Sequence, residues 1–183
     1  MSVKPVSLDF ISFGKLLPSW QELIFSWRNR EDVRRNFLNT EPLSFDDYQI
    51  FLRSFAKRPD DLGFLVLRNA LPCGVVRATL RPDLTDGSFE CGLFYAHSEH
   101  HLPALAACCL LKFLPSLGFT RYQAYFRKDN LQSFYFHVLS MGHPLVREDD
   151  LYFYVQEELN HACFERLHSR FPALADCDAH FFL

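Results

Sequence analysis

Arg121–His143 reads RYQAYFRKDNLQSFYFHVLSMGH, and the reading of this stretch decides the fold. Tyr122–Arg127 reads as a short strand, Lys128-Asp129-Asn130 as a polar stop, and Leu131 to Gly142 as a helix. Asn130 suits the N-cap, because its side-chain oxygen can accept a hydrogen bond from an amide of the first turn that has no partner inside the helix. Ser133, Tyr135 and His137 then place hydroxyl and imidazole groups on the first two turns. A strand that opens straight into a polar-lined helix is where α/β folds usually put chemistry. From this segment alone, an ordinary capped helix with a few polar residues is the competing reading.

The elements on either side extend the pattern. Pro5–Phe13 reads as a first strand, and Ser19 as the cap of a helix carrying Trp20, Leu23, Ile24 and Trp27 on one apolar face. Ser44 opens a second helix, with Asp46 and Asp47 at the positive end of its dipole and Tyr48, Phe51, Leu52 and Phe55 as its buried stripe. Gly63–Arg68, Cys73–Leu80 and Ser88–Tyr95 read as three strands of an antiparallel meander, joined by turns at Asn69-Ala70-Leu71-Pro72 and Pro82–Gly87. Pro103 fits the first turn of a helix from Ala104 to about Leu114, apolar except for Lys112 and ended or kinked by Pro115. Beyond Gly142 come two strands or one hairpin between Pro144 and Gln156, a helix over about Glu158–Arg170, and an apolar tail, His180-Phe181-Phe182-Leu183, expected to dock on the body or on a partner. The fold class is α/β (α+β): a mixed, mostly antiparallel central sheet with helices on both faces. The chain is read as one domain over residues 1–183, with the C-terminal helix and tail at about 157–183.

Composition narrows the function. The chain has 183 residues, 49% of them hydrophobic and 20 of them Phe, enough for a substantial core with aromatic side chains left for a pocket or a subunit contact. A formal net charge of −3 argues against a nucleic-acid protein. Arg28, Arg30, Arg34 and Arg35 cluster around Glu31 and Asp32, which reads either as a solvated helix face or as an anion site. The six cysteines form no C-x-x-C pair and read as thiols of a reducing compartment. No basic-then-apolar leader opens the chain, and the longest strongly apolar run, Leu102–Leu114, is too short to span a bilayer. A cytoplasmic protein is expected.

The order of elements resembles the GNAT acyltransferase superfamily from about residue 5 to 156. Asn130-x-x-Ser133, followed by a helix and Gly142, resembles that family's acceptor-side helix motif. Trp27-Arg28-Asn29 with Val33, Arg34 and Phe37, then Pro42-Leu43-Ser44, is similar to the opening of the N-acetyltransferases that act on nucleotide-linked 4-amino sugars in pseudaminic acid synthesis. The resemblance implies a strand at Ser88–Tyr95 that splays from its neighbour at Tyr122–Arg127, with the acyl-pantetheine arm of acetyl-CoA in the gap. It implies backbone contacts to that arm at Leu93, Phe94 and Tyr95, where an amide would polarise the thioester carbonyl. Asn130, Ser133, His100 and His101 join the cofactor side. Glu90 falls where a carboxylate takes a proton from the acceptor amine, and Tyr135 or His137 near the acid that protonates the leaving thiolate. Trp27, Arg28 and Asn29 fall on the acceptor side, with Trp27 stacking and Arg28 or Asn29 meeting phosphate or ribose.

One stretch departs from the family. Ala96–Pro103, AHSEHHLP, has neither the glycine nor the arginine of a pyrophosphate loop, and Glu99 would repel phosphate. His97, His100 and His101 have a spacing that invites a metal, but Pro103 implies that the helix starts after them, and no metal is expected. Two functions are therefore carried forward. One is acyl transfer from acetyl-CoA to a primary amine on a small molecule. The other is a catalytically silent module of the same fold that binds a protein partner. An exposed sheet edge and the apolar tail would suit a homodimer.

Overall fold

The computed structural model describes residues 6–37, 39–55, 57–80, 88–95 and 102–183. One eight-stranded sheet runs through it. The strands are β1 (Val6–Ser12), β2 (Asp61–Arg68), β3 (Leu71–Leu80), β4 (Ser88–Tyr95), β5 (Arg121–Arg127), β6 (Leu145–Glu148), β7 (Tyr152–Glu158) and β8 (Cys177–Phe182). Their spatial order is β6-β7-β5-β4-β3-β2-β1-β8, antiparallel except for β4–β5 and β1–β8. The helices are α1 (Pro18–Asn29), α2 (Glu31–Arg34), α3 (Phe45–Phe55), α4 (Leu102–Phe113), α5 (Leu131–Phe134) and α6 (His161–Arg170). The expected mixed, mostly antiparallel sheet with helices on both faces is the observed one.

Alternation along the strands divides the interior into two cores. Phe10, Phe64, Val66, Val76 and Phe89 point at α4, which is buried nearly all round, as its unbroken apolar sequence requires. Leu65, Leu67 and Val75 point the other way, against Ile24 and Trp27 of α1 and Tyr48 and Phe55 of α3. The β2–β3 turn is tighter than expected. Asn69 and Ala70, at φ 52° and 62°, complete the reversal by themselves, in the left-handed geometry that suits strand twist. Leu71 and Pro72 are thereby released into β3. The register then slips between Val66↔Gly74 and Leu67↔Pro72, a bulge beside the proline that has no amide to offer the ladder.

Three helix starts are set by local chemistry. Pro18 at the first turn, not a Ser19 cap, begins α1. Ser44 does begin α3: its Oγ accepts from the Asp47 amide at 3.1 Å. The last helix starts at His161, later than expected, because Glu158 stays on β7 opposite Arg121 and Asn160 caps the helix by accepting from the Cys163 amide at 3.1 Å.

The apolar tail docks in cis. β8 pairs parallel with β1 from Val6↔Cys177 to Ile11↔Phe182, and so covers the β1 edge. Phe181 stacks between Phe10 at 4.3 Å and Phe113 at 4.0 Å, joining strand, sheet and α4. Such aromatic pairs contribute about 0.5–1.5 kcal/mol each beyond the area they bury.

Candidate active site

β4 and β5 form a ladder over three residue pairs only: Ser88↔Arg121, Phe89↔Tyr122 and Glu90↔Gln123. β4 then stays bonded to β3 as far as Tyr95↔Gly74, while β5 stays bonded to β7 as far as Arg127↔Tyr152. Each strand is held straight by its outer neighbour, so the two part after Glu90 and Gln123. Beyond that point Cys91–Tyr95 and Ala124–Arg127 form no ladder with each other. Backbone groups in that position call for a partner from outside the sheet. A cavity of ≈ 1350 Å³ opens across this slot, reaching from α1 and α3 on one side to α5 on the other. The first turn of α4, at Pro103 and Ala104, also lines it, bringing a helix N-terminus to the same opening.

Alternation sorts the β4 side chains between the two faces. Glu90 and Phe94 point to the α1/α3 face, and Cys91, Leu93 and Tyr95 to the α4 face. Glu90, Leu93, Phe94 and Tyr95 all border the cavity. The tyrosine ring lies over Gly74, where a Cβ would come within 2.5 Å of it. Its hydroxyl is buried with no hydrogen-bond partner among the described residues, and burial drives its pKa well above the usual range, so it keeps its proton.

The α1–α3 side is rich in guanidinium groups. Arg28, Arg30, Arg35, Arg77 and Arg127 border the cavity, with Asp32 and Glu90 as carboxylates. Arg30 is paired with Asp32, and Arg77 with the buried Asp61. The Arg28 guanidinium lies over the Phe37 ring at 3.8 Å and donates through Nη2 to the Asn39 carbonyl at 3.2 Å, while its Nη1 is buried without a partner among the described residues. Burial lowers its pKa. The Tyr48 hydroxyl, at the same end of the cavity, is likewise buried and unpartnered. The sequence reading had placed Tyr48 in the core stripe of α3. The ring is there, and only the cavity reveals its polar end.

Two of the three residues expected on the acceptor side have structural positions instead. Trp27 is 7% exposed and packs in the α1/α3 core, because it falls one turn from Ile24 on the inward face of α1. It offers no open ring for stacking. The Asn29 carboxamide is held at both ends by Leu43, donating to its carbonyl at 2.8 Å and accepting from its amide at 2.8 Å. It ties the loop before α3 to α1. Arg28 alone of the three borders the cavity.

The opposite wall begins at Asn130, whose Oδ1 accepts from the Ser133 amide at 3.0 Å, the expected cap. Ser133 borders the cavity. The helix does not continue as α-helix. Tyr135–Ser140 form π-helical turns, closed by Met141 N to the Phe136 carbonyl at 2.9 Å and His143 N to the His137 carbonyl at 2.9 Å. Such a wide turn shifts each later side chain around the axis, and it recurs at functional sites. Gly142, at φ 73°, lets the chain reverse beneath Arg170.

Tyr135 and His137 both border the cavity but in different surroundings. Tyr135 is 65% exposed. His137 is stacked on Phe126 at 5.2 Å, and its Nδ1 lies 2.7 Å from the Tyr122 hydroxyl. Burial, with a lesser contribution from His143, pushes its pKa down to about 3. His143 stacks on the other side of Tyr122 at 4.3 Å and meets Glu157 at 2.7 Å. Burial lowers the pKa of His143 despite that carboxylate. Glu157 is also gripped by Arg166. Burial raises its pKa, but the bonds from His143 and Arg166 outweigh it and bring the group to about 2. Tyr122, His143, Glu157 and Arg166 were missed from sequence. Their only early signal was that Tyr122, Ala124 and Phe126 share one face of β5.

His100 and His101, expected on the cofactor side, lie outside the described residues, as do Ala96, His97, Ser98 and Glu99. Among the described residues no group of three or more His, Cys, Asp or Glu could hold a metal ion. No described helix is long and apolar enough to cross a membrane.

No family model matches the chain. Over 144 residues it is 25% identical to the acetyltransferase PseH of Campylobacter jejuni subsp. jejuni serotype O:23/36 (strain 81-176), covering 78% of this chain and 88% of that protein. Among solved structures, Campylobacter jejuni N-acetyltransferase PseH in complex with acetyl coenzyme A matches with a TM-score of 0.66 at 21% identity, over 84% of this chain and 99% of that one. The chain has the GNAT fold. FdhC, a nucleotide-linked sugar GNAT, matches with a TM-score of 0.71 at 18% identity, over 93% and 97% of the two chains. The aminoglycoside acetyltransferase AAC(6')-Ib in complex with coenzyme A matches with a TM-score of 0.67 at 17% identity, over 88% and 98%. The PseH structure holds acetyl coenzyme A and the AAC(6')-Ib structure holds coenzyme A.

Proposed function

We propose that this chain, acting as one domain over residues 1–183, is an acyl-CoA-dependent N-acyltransferase. It would move an acetyl-sized group to the primary amine of a small, oxygen-rich acceptor, with a nucleotide-linked amino sugar as the favoured class. The observation that carries this reading is the parting of β4 and β5 beyond Glu90 and Gln123, with a ≈ 1350 Å³ cavity across the gap. The facing edges are rows of backbone donors and acceptors that an extended pantetheine arm, itself built of amides, could complete as an extra strand. An unmatched β4 amide within Leu93–Tyr95 would then meet the thioester carbonyl where negative charge develops. The α4 N-terminus would supply the positive end of a dipole for the cofactor's phosphates.

The chemistry asks little more. The amine nitrogen bonds to the carbonyl carbon, the C–S bond breaks, nitrogen gives up one proton and the released thiolate takes one up. Holding both reactants in line supplies much of the rate. Glu90 would take the amine proton, directly or through water, from the α1/α3 face. On the other wall, the enclosed His137 suits the leaving sulfur better than the exposed Tyr135. The arginine-rich acceptor end, with the buried, unpartnered Arg28 Nη1 and Tyr48 hydroxyl, favours an acceptor that carries phosphate and hydroxyl oxygens. The structural neighbour FdhC, a nucleotide-linked sugar GNAT, supports the same class. Six free cysteines suit a reducing cytoplasmic setting.

Release of free thiol from acetyl-CoA, assayed against a panel of nucleotide-linked amino sugars, aminoglycosides and simple amines, tests the proposal. Turnover dependent on a nucleotide-linked amino sugar is expected. A chain that neither releases thiol with any amine nor gains thermal stability with millimolar acetyl-CoA would be a silent module of the same fold.

A further inference from the structure

We infer that Tyr122 is a positioning residue that holds His137 in one tautomer, with the ring proton on Nε2, so that His137 meets the leaving sulfur as a neutral hydrogen-bond donor. The tautomer is argued from the fold alone, and the role at sulfur rests on the acyl-transfer reading above.

The tautomer follows from donor accounting. The Tyr122 hydroxyl lies 2.7 Å from His137 Nδ1, and among the described residues it has no other bond. Tyr122 is 2% exposed, so bulk water does not reach it. A buried hydroxyl has one proton to place. If Nδ1 carried the ring proton, it would donate to the tyrosine oxygen and leave the hydroxyl proton with no acceptor. If Nδ1 is bare, the hydroxyl donates to it and both groups are satisfied. The ring proton then resides on Nε2, the nitrogen that Tyr122 does not occupy on a ring bordering the cavity. Tyr122 is held by its own packing, between Phe89 and the stacked His143.

The ring stays uncharged for an equally local reason. The titratable groups facing it are Tyr122 on β5 and His143 at the end of the π-helical turns; Glu157 on β7 and Arg166 on α6 stand behind His143. Glu157 bonds His143 and Arg166, so its charge is engaged one residue away from His137. Burial without a carboxylate of its own keeps His137 neutral. A neutral imidazole is far too weak an acid to hand its proton to a thiolate. It can still donate a hydrogen bond as the C–S bond breaks and the electron pair settles on sulfur. The amine proton passes to Glu90 or its water, and the thiolate, a weak base, takes its proton from solvent. This replaces the proton-donating acid expected at Tyr135 or His137 with a fixed dipole.

The test uses the whole chain labelled with ¹⁵N-histidine, with His137→Gln to assign the His137 resonances. In the free protein at about pH 7, long-range ¹H–¹⁵N spectra should show His137 with a bare Nδ1 and a protonated Nε2. Tyr122→Phe should turn this into a mixture of tautomers. With an accepted amine, Tyr122→Phe should lower kcat by about tenfold and leave the KM for acetyl-CoA within about twofold. His137→Gln, which keeps an N–H donor but cannot titrate, should be at least about tenfold more active than His137→Phe. A wild-type ring protonated on Nδ1, or a tautomer indifferent to Tyr122→Phe, overturns the inference. Equal activities of the Gln and Phe variants overturn the role at sulfur. If no amine is a substrate, the acyl-transfer reading fails while the spectra still decide the tautomer. If Tyr122→Phe fails to fold, the wild-type spectrum and the two His137 variants decide both parts.

Discussion

Along its first three pairs the β4–β5 interface is ordinary protein interior; along the rest it is a binding site. In the closed part, Ser88, Phe89 and Tyr122 are buried and laddered. In the open part, the same two strands keep their outer partners and lose each other. Nothing in the length or regularity of either strand marks the change. What changes is which neighbour each strand follows, and the side chains adapt. Gly92 would meet nothing within 4 Å if it carried a Cβ, and Tyr125 and Arg127 are exposed. A sheet can therefore open a slot between two of its strands without unfolding, provided each lip is anchored from behind.

The most damaging way to break the contrast is to fill the open half. Ala124 is the first β5 residue past the ladder and borders the cavity. Ala124→Phe should abolish thermal stabilisation by acetyl-CoA and cut turnover by about 10³-fold or more, while overpacking lowers the stability of the free protein by about 1–3 kcal/mol. Next comes Glu90, the last residue of the closed half. Glu90→Gln should lower kcat about 10²-fold without weakening acetyl-CoA binding, measured by steady-state thiol release and calorimetry. The two candidates on the opposite wall then separate. Tyr135→Phe should leave kcat within about threefold, because an exposed hydroxyl adds little that is specific to the transition state. His137→Phe should lower it by more than His137→Gln does.

The smallest effect concerns stability and pH. His137, at about 3, and His143, also lowered, hold fewer protons when folded than an unfolded histidine near 6.5. A depressed folded pKa means that unfolding takes up protons, so stability falls as pH drops below about 6.5. Glu157, at about 2, adds stability that is complete above about 4.3 and is lost only as pH falls toward about 2. Urea unfolding at about pH 7 and about pH 4.5 should therefore show a loss in the wild type that exceeds the loss in His137→Gln by on the order of 2 kcal/mol. An equal loss in the two proteins would mean that the histidine is not held neutral.

Much of this architecture was legible in the chain. The bounds of β4, the meander, the Pro115 stop and the Asn130 cap all follow from local chemistry that acts within a few residues. The parting of β4 and β5 came from the family likeness rather than from any local signal. The π-helical turns were not legible, since Tyr135–Ser140 contains no proline or glycine to announce them. The parallel β1–β8 pair joins residues at opposite ends of the chain, and only the apolar character of the tail hinted at it. Trp27 was assigned to the acceptor and belongs to the core because an aromatic residue on a helix reads the same way in either place. The Tyr122–His137 bond needed topology, since the two residues lie on different elements and meet only once the helix is laid against β5.

The central claim is that the open half of the β4–β5 interface receives the acyl donor. A crystal structure of the chain saturated with acetyl-CoA measures this directly. The account predicts the pantetheine arm extended between Cys91–Tyr95 and Ala124–Arg127, with the thioester oxygen on a β4 amide and the sulfur within hydrogen-bonding reach of His137. A donor bound elsewhere on a saturated crystal, or β4 and β5 laddered together to their ends, would contradict it.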